Sequence, residues 1–300
     1  MDACRPAPGD VAAEALAAAC AVAAAHGLPT GAPRVLADGA NLVVHLAPAP
    51  VVAKASASGR HVRDAADWFA REVAVAAALA AAGAPVVTPS PEAPAVVHEH
   101  GGVPVTLWTF VPDAGDPLPD AARLGAMLAD LHAALRSCDL DLPFLAPLLQ
   151  DVPSFLDRAA RTGTPPPRDV DALRAAFERL TAGLPAAPAQ PLHGDAHPGN
   201  LLAGPVWCDF EDTCRGPVAW DLASLRRTPR LDGAAALRAY ARASGTAADD
   251  DALAPWLALR DLHMTVWYCL YAERIPALAP RAEDLLSGWR GAAGAARGRA

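Results

Sequence analysis

The stretch 191–213, PLHGDAHPGNLLAGPVWCDFEDT, sets His, Asp and Glu side chains at close intervals in an otherwise apolar segment. Asp195 stands five residues before Asn200, and Asp209 follows the strand-like PVWC nine residues further on. In a loop, Asp195 can accept the proton of a hydroxyl, while the side-chain oxygens of Asn200 and Asp209 suit Mg²⁺. A metal cage built on His193 and a polar loop without chemistry are the alternatives.

A second signal lies upstream, in the strand-like VVAKA and the helix after it. Lys54 is the one charged group in that apolar frame, and by itself it reads as a strand lysine pointing to solvent. Glu72, however, shares a helical arc with Trp68 and Leu79, so it falls on the packed face of its helix. A buried carboxylate needs a partner, and Lys54 is the natural candidate. Such a pair can hold nucleotide phosphates in position.

Composition limits the classes of function. The chain has 300 residues, 25 basic and 33 acidic side chains, and a formal charge of −8. This acidic balance argues against a nucleic-acid binder, which needs a basic face. With 53% hydrophobic residues the chain can bury a sizeable core. We expect a small-molecule partner, and the sequence leaves the oligomeric state open.

The cysteines and the N-terminus bear on location. Six scattered cysteines include no CxxC pair, which is typical of reduced thiols in a cytosolic protein. The alanine-rich stretch 11–25 has acidic residues before and within it and no basic segment ahead, so we read it as a helix ending at Gly27 rather than a signal peptide. No stretch of the sequence is long and apolar enough to span a membrane. The expected location is the cytoplasm.

A β-rich lobe precedes a helical one. The predicted strands are RVLA at 34–37, NLVVHL at 41–46, VVAKA at 51–55, AVVH at 95–98 and VTLWTF at 105–110. Asp38-Gly39 and the run Pro48–Pro50 supply turns, EHGG supplies another, and a helix is predicted from Asp64 to Ala82. We place this N-terminal lobe, with its leading helix, at residues 1–112.

The rest of the chain, residues 113–300, reads as a larger and mainly helical lobe. Leucines fall at helical spacing behind Asp120, a plausible N-cap, and another helix is predicted near 169–182. The final ninety residues are again helical. The sequence therefore predicts an α+β fold of two lobes, a small antiparallel sheet beside a larger helical lobe, with a cleft between them for ligands.

The motifs HGDAHPGN and CDFED, behind VVAKA and REV, resemble the aminoglycoside phosphotransferase and choline kinase-like family, relatives of protein kinases. The resemblance spans about residues 30 to 275 and implies a bilobal kinase-like fold that phosphorylates a hydroxyl of a small molecule with ATP. It implies a catalytic base (Asp195), Mg²⁺ ligands (Asn200 and Asp209), a phosphate-orienting pair (Lys54 and Glu72), a hinge whose backbone meets the adenine (Trp108 to Phe110) and bracing of the catalytic loop (His193 and Asp221).

Two departures from the family pattern stand out. The loop expected over the phosphates is ADGAN, which has only Gly39 and no GxGxxG. Glutamate rather than glycine follows Asp209-Phe210, and Glu211 is assigned either to a second metal or the substrate, or to a structural role.

Asp221 braces the catalytic loop in the family pattern, and it also fits a helix N-cap.

Three rival functions are open to these residues. A metal-dependent hydrolase would use the HGDAH cluster, but dinuclear sites need more nitrogen ligands, and His98, His132 and His263 have no companion at ligand spacing. A non-catalytic nucleotide-binding scaffold would normally lack one of the four key residues, all of which are present. A protein kinase would carry an activation segment ending in Ala-Pro-Glu, whereas RGPVAWDLASL follows here.

The substrate is the least determined feature of the sequence. Acids beside aromatic rings suit a cation, because carboxylates pair with ammonium groups and rings offer cation–π contact. An amine-bearing substrate, an aminoglycoside-like compound ahead of choline, is therefore expected, and packing of the late helix with its charges in water is the alternative. The residues concerned are Glu211, Asp212, Asp261, Trp267, Tyr268, Tyr271 and Glu273.

Overall fold

An antiparallel five-stranded sheet forms the first part of the molecule in the computed structural model, which describes residues 10–112, 115, 119–246 and 249–297. The strands run in the order β1-β2-β3-β5-β4. Their bounds are β1 Arg34–Asp38, β2 Asn41–His45, β3 Val51–Ser56, β4 His98–His100 and β5 Val103–Thr109. Leu42 and Val44 alternate with partly exposed neighbours, as the period of two predicted.

Two helices pack on this sheet. Helix α1 (Val11–Ala25) starts at Asp10, whose side chain accepts from two backbone N–H groups, and its alanines lie against the apolar face of the sheet. Helix α2 (Ala65–Ala81) has the predicted N-cap, Asp64, and the predicted buried face, with Glu72 on it. The small alanine side chains of α1 allow this helix to pack close to the sheet.

The fourth strand differs from the sequence prediction. Only His98 of the predicted strand at 95–98 is paired, opposite Val105, and the strand continues through residues assigned to a turn. Gly101 and Gly102 both have positive φ, so the chain reverses there in two residues. Strand β4 therefore begins at His98 instead of residue 95 and ends at His100, next to the turn.

The remaining chain is mainly helical, as expected. Helix α3 begins after the predicted cap Asp120, and α6 covers the predicted helix near 169–182. The helices are α3 Ala121–Ser137, α4 Ala146–Leu149, α5 Asp151–Thr162, α6 Pro167–Ala182, α7 Ala219–Arg227, α8 Gly233–Ser244, α9 Asp250–Ala272 and α10 Ala279–Arg297. The α+β fold predicted from the sequence is confirmed.

Four short strands carry the segment that dominates the sequence. β6 (Gln190–Leu192) pairs with β9 (Cys214–Gly216), and β7 (Leu201–Leu202) pairs with β8 (Val206–Trp207). One apolar cluster joins α2, α3, α7 and α8 beneath these strands, and a second joins α5, α6, α9 and α10. The loops between the short strands are thereby held at the cleft facing the five-stranded sheet.

The lobe boundary predicted at 112/113 stays a prediction, because Asp113 lies outside the described residues. Cys4 also lies outside them, while Cys138, Cys208, Cys214 and Cys269 are free thiols. Across the described ranges, no helix combines the length and the hydrophobicity that a membrane crossing needs.

Candidate active site

The loop after β6 carries Asp195. It closes into a 3₁₀ turn over Pro198–Asn200 before β7 begins. Gly194 has φ +90°, and a Cβ there would collide with the backbone oxygen of Asp212. Only glycine allows this approach of the two loops. The HGD and CDFED motifs are thus joined in space.

The Asp195 carboxylate faces the cleft with 37% of its side chain exposed. Ser224 Oγ donates to it at 3.3 Å, Arg260 Nη1 lies at 3.5 Å, and His197 Nε2 lies at 3.2 Å. Burial by itself would raise the pKa of Asp195, but His197 and Arg260 outweigh it and hold the pKa well below its usual range. The group is an ionised, fixed hydrogen-bond acceptor at the cleft.

Asn200 is oriented by the same loop. Its Nδ2 donates to the backbone oxygen of Asp195 at 2.9 Å, which leaves the amide oxygen as the end able to bind a cation. Its backbone oxygen accepts from the N–H of Cys208 at 3.0 Å, one residue before Asp209. The two proposed Mg²⁺ ligands therefore belong to neighbouring strand ends.

Lys54 meets Glu72 as the sequence predicts. Lys54 Nζ lies 2.9 Å from Glu72 Oε2, with both side chains buried. The same ammonium contacts Asp209 Oδ1 at 2.5 Å and Glu211 Oε2 at 3.0 Å. Asp209 is held in the left-handed region with φ 65°, a strained conformation for a residue with a side chain. One lysine is thus the ion-pair partner of three carboxylates.

This cluster suits a divalent cation. Burial would lower the pKa of Lys54, but the three carboxylates outweigh it and raise the pKa well above its usual value, so the lysine stays charged. Three carboxylates around one ammonium leave an excess of negative charge. Oxygens of Glu72, Asp209 and Glu211 lie within 4.8 Å of one another. Hard oxygen donors with surplus negative charge are what Mg²⁺ prefers.

Asp221 lies directly beneath the catalytic loop. Its carboxylate accepts from the backbone N–H groups of His193 at 2.8 Å and Gly194 at 3.0 Å. It also contacts His132 Nε2 at 3.0 Å, and the other ring nitrogen of His132 meets the Tyr240 hydroxyl. Asp221 is the third residue of α7 rather than its cap. The contacts match the bracing role that the resemblance implied.

The sequence reasoning missed Arg260, a buried residue of α9. Its Nη2 donates to the backbone oxygen of Gly194 at 2.5 Å, and its guanidinium lies 3.8 Å from the Trp220 ring centre. Trp220 Nε1 donates to the same oxygen at 2.9 Å. Together with the contact to Asp195, these bonds fix the catalytic loop from below. A buried arginine opposite the HGD motif has no signal in the local sequence.

Arg63 was also missed, and it changes the role expected for Glu211 and Asp212. Its guanidinium binds Asp151 through two contacts of 2.9 and 2.5 Å, and lies 3.1 Å from Glu211 and 2.8 Å from Asp212. Burial, despite Arg63, raises the pKa of Asp212 to about 7. Glu211 also accepts from Asn41 Nδ2 at 2.6 Å. These acids are already paired within the chain.

The aromatic side chains expected to receive a cation differ in their contacts. Trp267, Tyr268 and Tyr271 all line the cleft. The cation on Trp267, however, is Arg63, 4.6 Å from the ring centre. Asp261 does not line the cleft and is ion-paired with Arg227. The neighbouring Glu273 pairs with Arg158 instead.

The hinge segment lines the cleft, but its backbone is partly occupied. Thr109 donates its N–H to Thr88 at 3.0 Å, and Phe110 donates its N–H to Pro50 at 3.0 Å. The Phe110 ring stacks on His45 at 3.7 Å between centres. These two N–H groups are therefore occupied within the protein, and the expectation that the backbone of Trp108 to Phe110 meets an adenine stays a prediction. Val111, the next residue on the cleft wall, was missed.

The ADGAN loop, which includes Gly39, reaches the cleft and is tied to the other lobe. Arg274, just after α9, donates to the backbone oxygen of Gly39 at 3.0 Å and pairs with Asp38 at 2.6 Å. A third bond reaches Ser58 Oγ at 3.1 Å. An arginine from the helical lobe thus holds this loop in position at the cleft.

Comparison with known protein families identifies the same part of the chain. A model of the phosphotransferase enzyme family (APH) matches residues 52–256, more than half of the chain, including Lys54 and Asp195. The chain belongs to this family. Membership of the phosphotransferase enzyme family confirms the resemblance seen in HGDAHPGN and CDFED. A search of curated proteins found no match.

Solved structures share the fold of this phosphotransferase family member at low identity. A choline/ethanolamine kinase family protein from Mesorhizobium loti gives a TM-score of 0.54 at 17% identity, over 88% of each chain. The GDP complex of aminoglycoside 2'-phosphotransferase-IIIa gives 0.56 at 16%, over 87% of this chain and 93% of the other. A microcompartment-associated aminopropanol kinase gives 0.58 at 19%, over 86% and 90%. The predicted kinase-like fold is confirmed.

Proposed function

We propose that this phosphotransferase moves the γ-phosphoryl group of ATP to a hydroxyl of a small molecule, with Asp195 as the base. The observation that carries the proposal is the ionised Asp195 carboxylate, held by Ser224 and Arg260 at the same cleft as the Lys54–Asp209 cluster. Phosphoryl transfer needs an acceptor-orienting group on one side and a charged phosphate clamp on the other. One cleft of about 1130 Å³ is lined by residues suited to both roles.

Asp195 acts first on the acceptor. Its carboxylate accepts a hydrogen bond from the substrate hydroxyl and takes the proton as the oxygen attacks the γ-phosphorus. The bond from the γ-phosphorus to the bridging oxygen breaks, and ADP leaves with that oxygen. Because its pKa is held low, Asp195 is ionised at neutral pH. It therefore mainly orients the hydroxyl and does not remove the proton before the bond to phosphorus begins to form. Loose transition states need little early proton removal. Positioned proton transfer of this kind contributes about 10²–10⁴-fold.

Lys54 and Asp209 act on the phosphates. Lys54 Nζ, fixed by Glu72, is placed to contact phosphate oxygens, while Asp209 and Asn200 would hold Mg²⁺. The metal supplies neutralisation of the charge on the transferred group and on the leaving oxygen. The surplus carboxylate charge around Lys54 supports this assignment. Val111 and Phe110 form the wall proposed for the base of the nucleotide.

The histidines considered as further metal ligands of a hydrolase have other partners in the fold. His132 is used by Asp221 and Tyr240, and His263 by Asp151, while His98 contacts His26. Within the part of the chain that the structure describes, the one group of potential metal ligands contains carboxylates and no histidine. The scaffold alternative predicts the loss of at least one of four residues, and all four are present in the sequence: Lys54, Asp195, Asn200 and Asp209.

The amine-bearing acceptor expected from the sequence has weaker support than transfer to a hydroxyl. Three aromatic residues that line the cleft support it: Trp267, Tyr268 and Tyr271. The acidic residues give less support, because Glu211 already contacts Lys54 and Arg63, and Asp212 already contacts Arg63. We further propose that the enzyme works in the cytoplasm, where ATP is supplied and free thiols stay reduced.

A panel of small hydroxylated compounds with ATP and Mg²⁺, read by ADP release and by mass of the product, tests the proposed function. Each compound is paired with its O-methyl derivative. We expect ADP only with the free hydroxyl, and one added phosphoryl group on that compound. ADP release that is equal with the O-methyl derivatives, and no phosphorylated product, would reject transfer to a hydroxyl.

A further inference from the structure

One part of the helical-lobe wall of the cleft is basic. Three arginines line it: Arg227 at the end of α7, Arg230 in the following loop and Arg281 near the start of α10. We call these three residues the arginine wall. A Cβ at Gly199, in the 3₁₀ turn after Asp195, would lie 3.0 Å from Arg230 Nη1. The arginine wall therefore begins beside the catalytic loop.

The arginine wall is short of negative charge. Arg230 and Arg281 have no carboxylate within 4.0 Å among the residues that the structure describes. Arg227 pairs with Asp261, which lies behind the wall and does not line the cleft. Burial and the positive charge of Arg281 lower the pKa of Arg227, so two like charges stand close together.

The acids of the cleft do not compensate for this charge. They contact other basic groups of the protein rather than the arginine wall. Asp195 is paired with Arg260 and His197, Glu72 and Asp209 with Lys54, and Glu211 and Asp212 with Arg63. A cationic acceptor reaching the arginine wall would meet repulsion, whereas an anion would meet unpaired guanidinium groups.

Geometry joins the arginine wall to the reacting end of the cleft. Ser224 donates to Asp195 at 3.3 Å and stands three residues before Arg227 on α7. Residues at this helical spacing have Cβ atoms about 5–6 Å apart. A short carbon chain can span from Asp195 to the arginine wall, and Met264 and Tyr268 line the cleft with apolar surface along it.

We propose that the acceptor is a short hydroxylated anion, whose carboxylate or phosphate binds the arginine wall while its hydroxyl meets Asp195. The inference rests on the proposed function and names the substrate class for it. Planar guanidinium groups match the oxygens of both anions through paired hydrogen bonds. The choice is opposite to the amine-bearing acceptor expected from the sequence, because the fold brings Arg281 of α10 to the same cleft wall as Arg227 and Arg230.

A matched substrate series tests the proposal. Glycerate, glycerol 3-phosphate, glycerol and 3-amino-1,2-propanediol offer hydroxyls on one three-carbon skeleton with different charge, and kanamycin adds a large cation. We expect kcat/KM for glycerate or glycerol 3-phosphate to exceed that for glycerol and the amine by about tenfold or more, the effect of one charge-assisted hydrogen bond. The better of the two anions identifies carboxylate or phosphate. Preference for the amine or for kanamycin would overturn the proposal.

Substitutions assign the effect to the arginine wall. Arg281→Gln and Arg230→Gln change residues without ion-pair partners, so the fold should tolerate them, and each should raise KM for the anionic acceptor about tenfold. Arg238→Gln on α8 is the matched control, an exposed arginine away from the cleft. A rise in KM for ATP with no change for the acceptor would place the arginines at the nucleotide and overturn the proposal.

A binding measurement keeps the outcome decisive if no compound of the series is phosphorylated. Calorimetric titration with citrate and with inorganic phosphate, at saturating ADP and Mg²⁺, reports anion binding outside the nucleotide site. We expect binding by the wild type and at least about tenfold weaker binding by Arg281→Gln. Such binding without turnover would support the anion site and count against the proposed phosphotransfer. Absent binding, or binding unchanged in the variant, would reject the site.

Discussion

Replacement of Arg63 by glutamine is expected to destabilise the protein strongly. The residue lies in the loop before α2, yet its guanidinium reaches into the helical lobe, with 5% of the side chain exposed. It pairs there with Asp151, Glu211 and Asp212. Its removal takes one shared cation away from three carboxylates.

The magnitude follows from burial and geometry. Asp151 is fully buried and accepts two bonds from Arg63, so its remaining partner would be His263. Breaking a buried ion pair by removing one partner costs about 3–5 kcal/mol. The guanidinium also lies between the Trp68 and Trp267 rings, 3.7 and 4.6 Å from their centres. The expected loss in the free energy of unfolding is therefore about 3–5 kcal/mol.

Urea unfolding of the variants measures this loss. Arg60→Gln is the control, because Arg60 lies in the same segment as Arg63 and makes a partly exposed ion pair with Glu14 of α1. Its replacement should cost about 1 kcal/mol or less. Asp151→Asn combined with Arg63→Gln should cost less than the sum of the single changes. A loss below about 1 kcal/mol for Arg63→Gln would refute the assignment of Arg63 as a buried inter-lobe ion-pair partner.

Three further predictions concern the candidate active site. Lys54→Met and Glu72→Gln should each lower kcat/KM for ATP, and the double variant should cost much less than their sum, so additive losses in the kinetic assay would contradict the pairing. His197→Gln removes a group that lowers the pKa of Asp195, so the acid limb of the kcat/KM profile should move to higher pH; a limb that stays in place would exclude the coupling. Asp221→Ala leaves two buried N–H groups without an acceptor, which should cost about 1–3 kcal/mol in urea unfolding, and an unchanged midpoint would show that the loop does not depend on it.

The features that the sequence predicts well depend on local rules. The caps Asp64 and Asp120 fix helix starts through short-range hydrogen bonds, and the register of Glu72 follows from helical periodicity. The pairing with Lys54 was predictable because a carboxylate on a packed face requires a cation. The family was predictable from the consecutive residues of HGDAHPGN.

The features that the sequence did not predict depend on distant contacts. Arg63 and Asp151 stand 88 positions apart, and Arg260 and Asp195 stand 65 apart, so neither spacing has a helical or strand period. Glu211 therefore looked available for a ligand when it was already paired. The strand at His98 moved because positive φ at two glycines, rather than apolar residues, decides where that hairpin turns.

The most direct test of the central claim is single-turnover phosphotransfer by the wild type and by Asp195→Asn, with the acceptor found in the substrate series. The substitution keeps the shape of the side chain and removes the charge that accepts the hydroxyl proton. We predict a rate of phosphorylated acceptor formation that is about 10²–10⁴-fold lower in the variant, with ATP binding retained. An equal rate of transfer in the variant would contradict the assignment of Asp195 as the base.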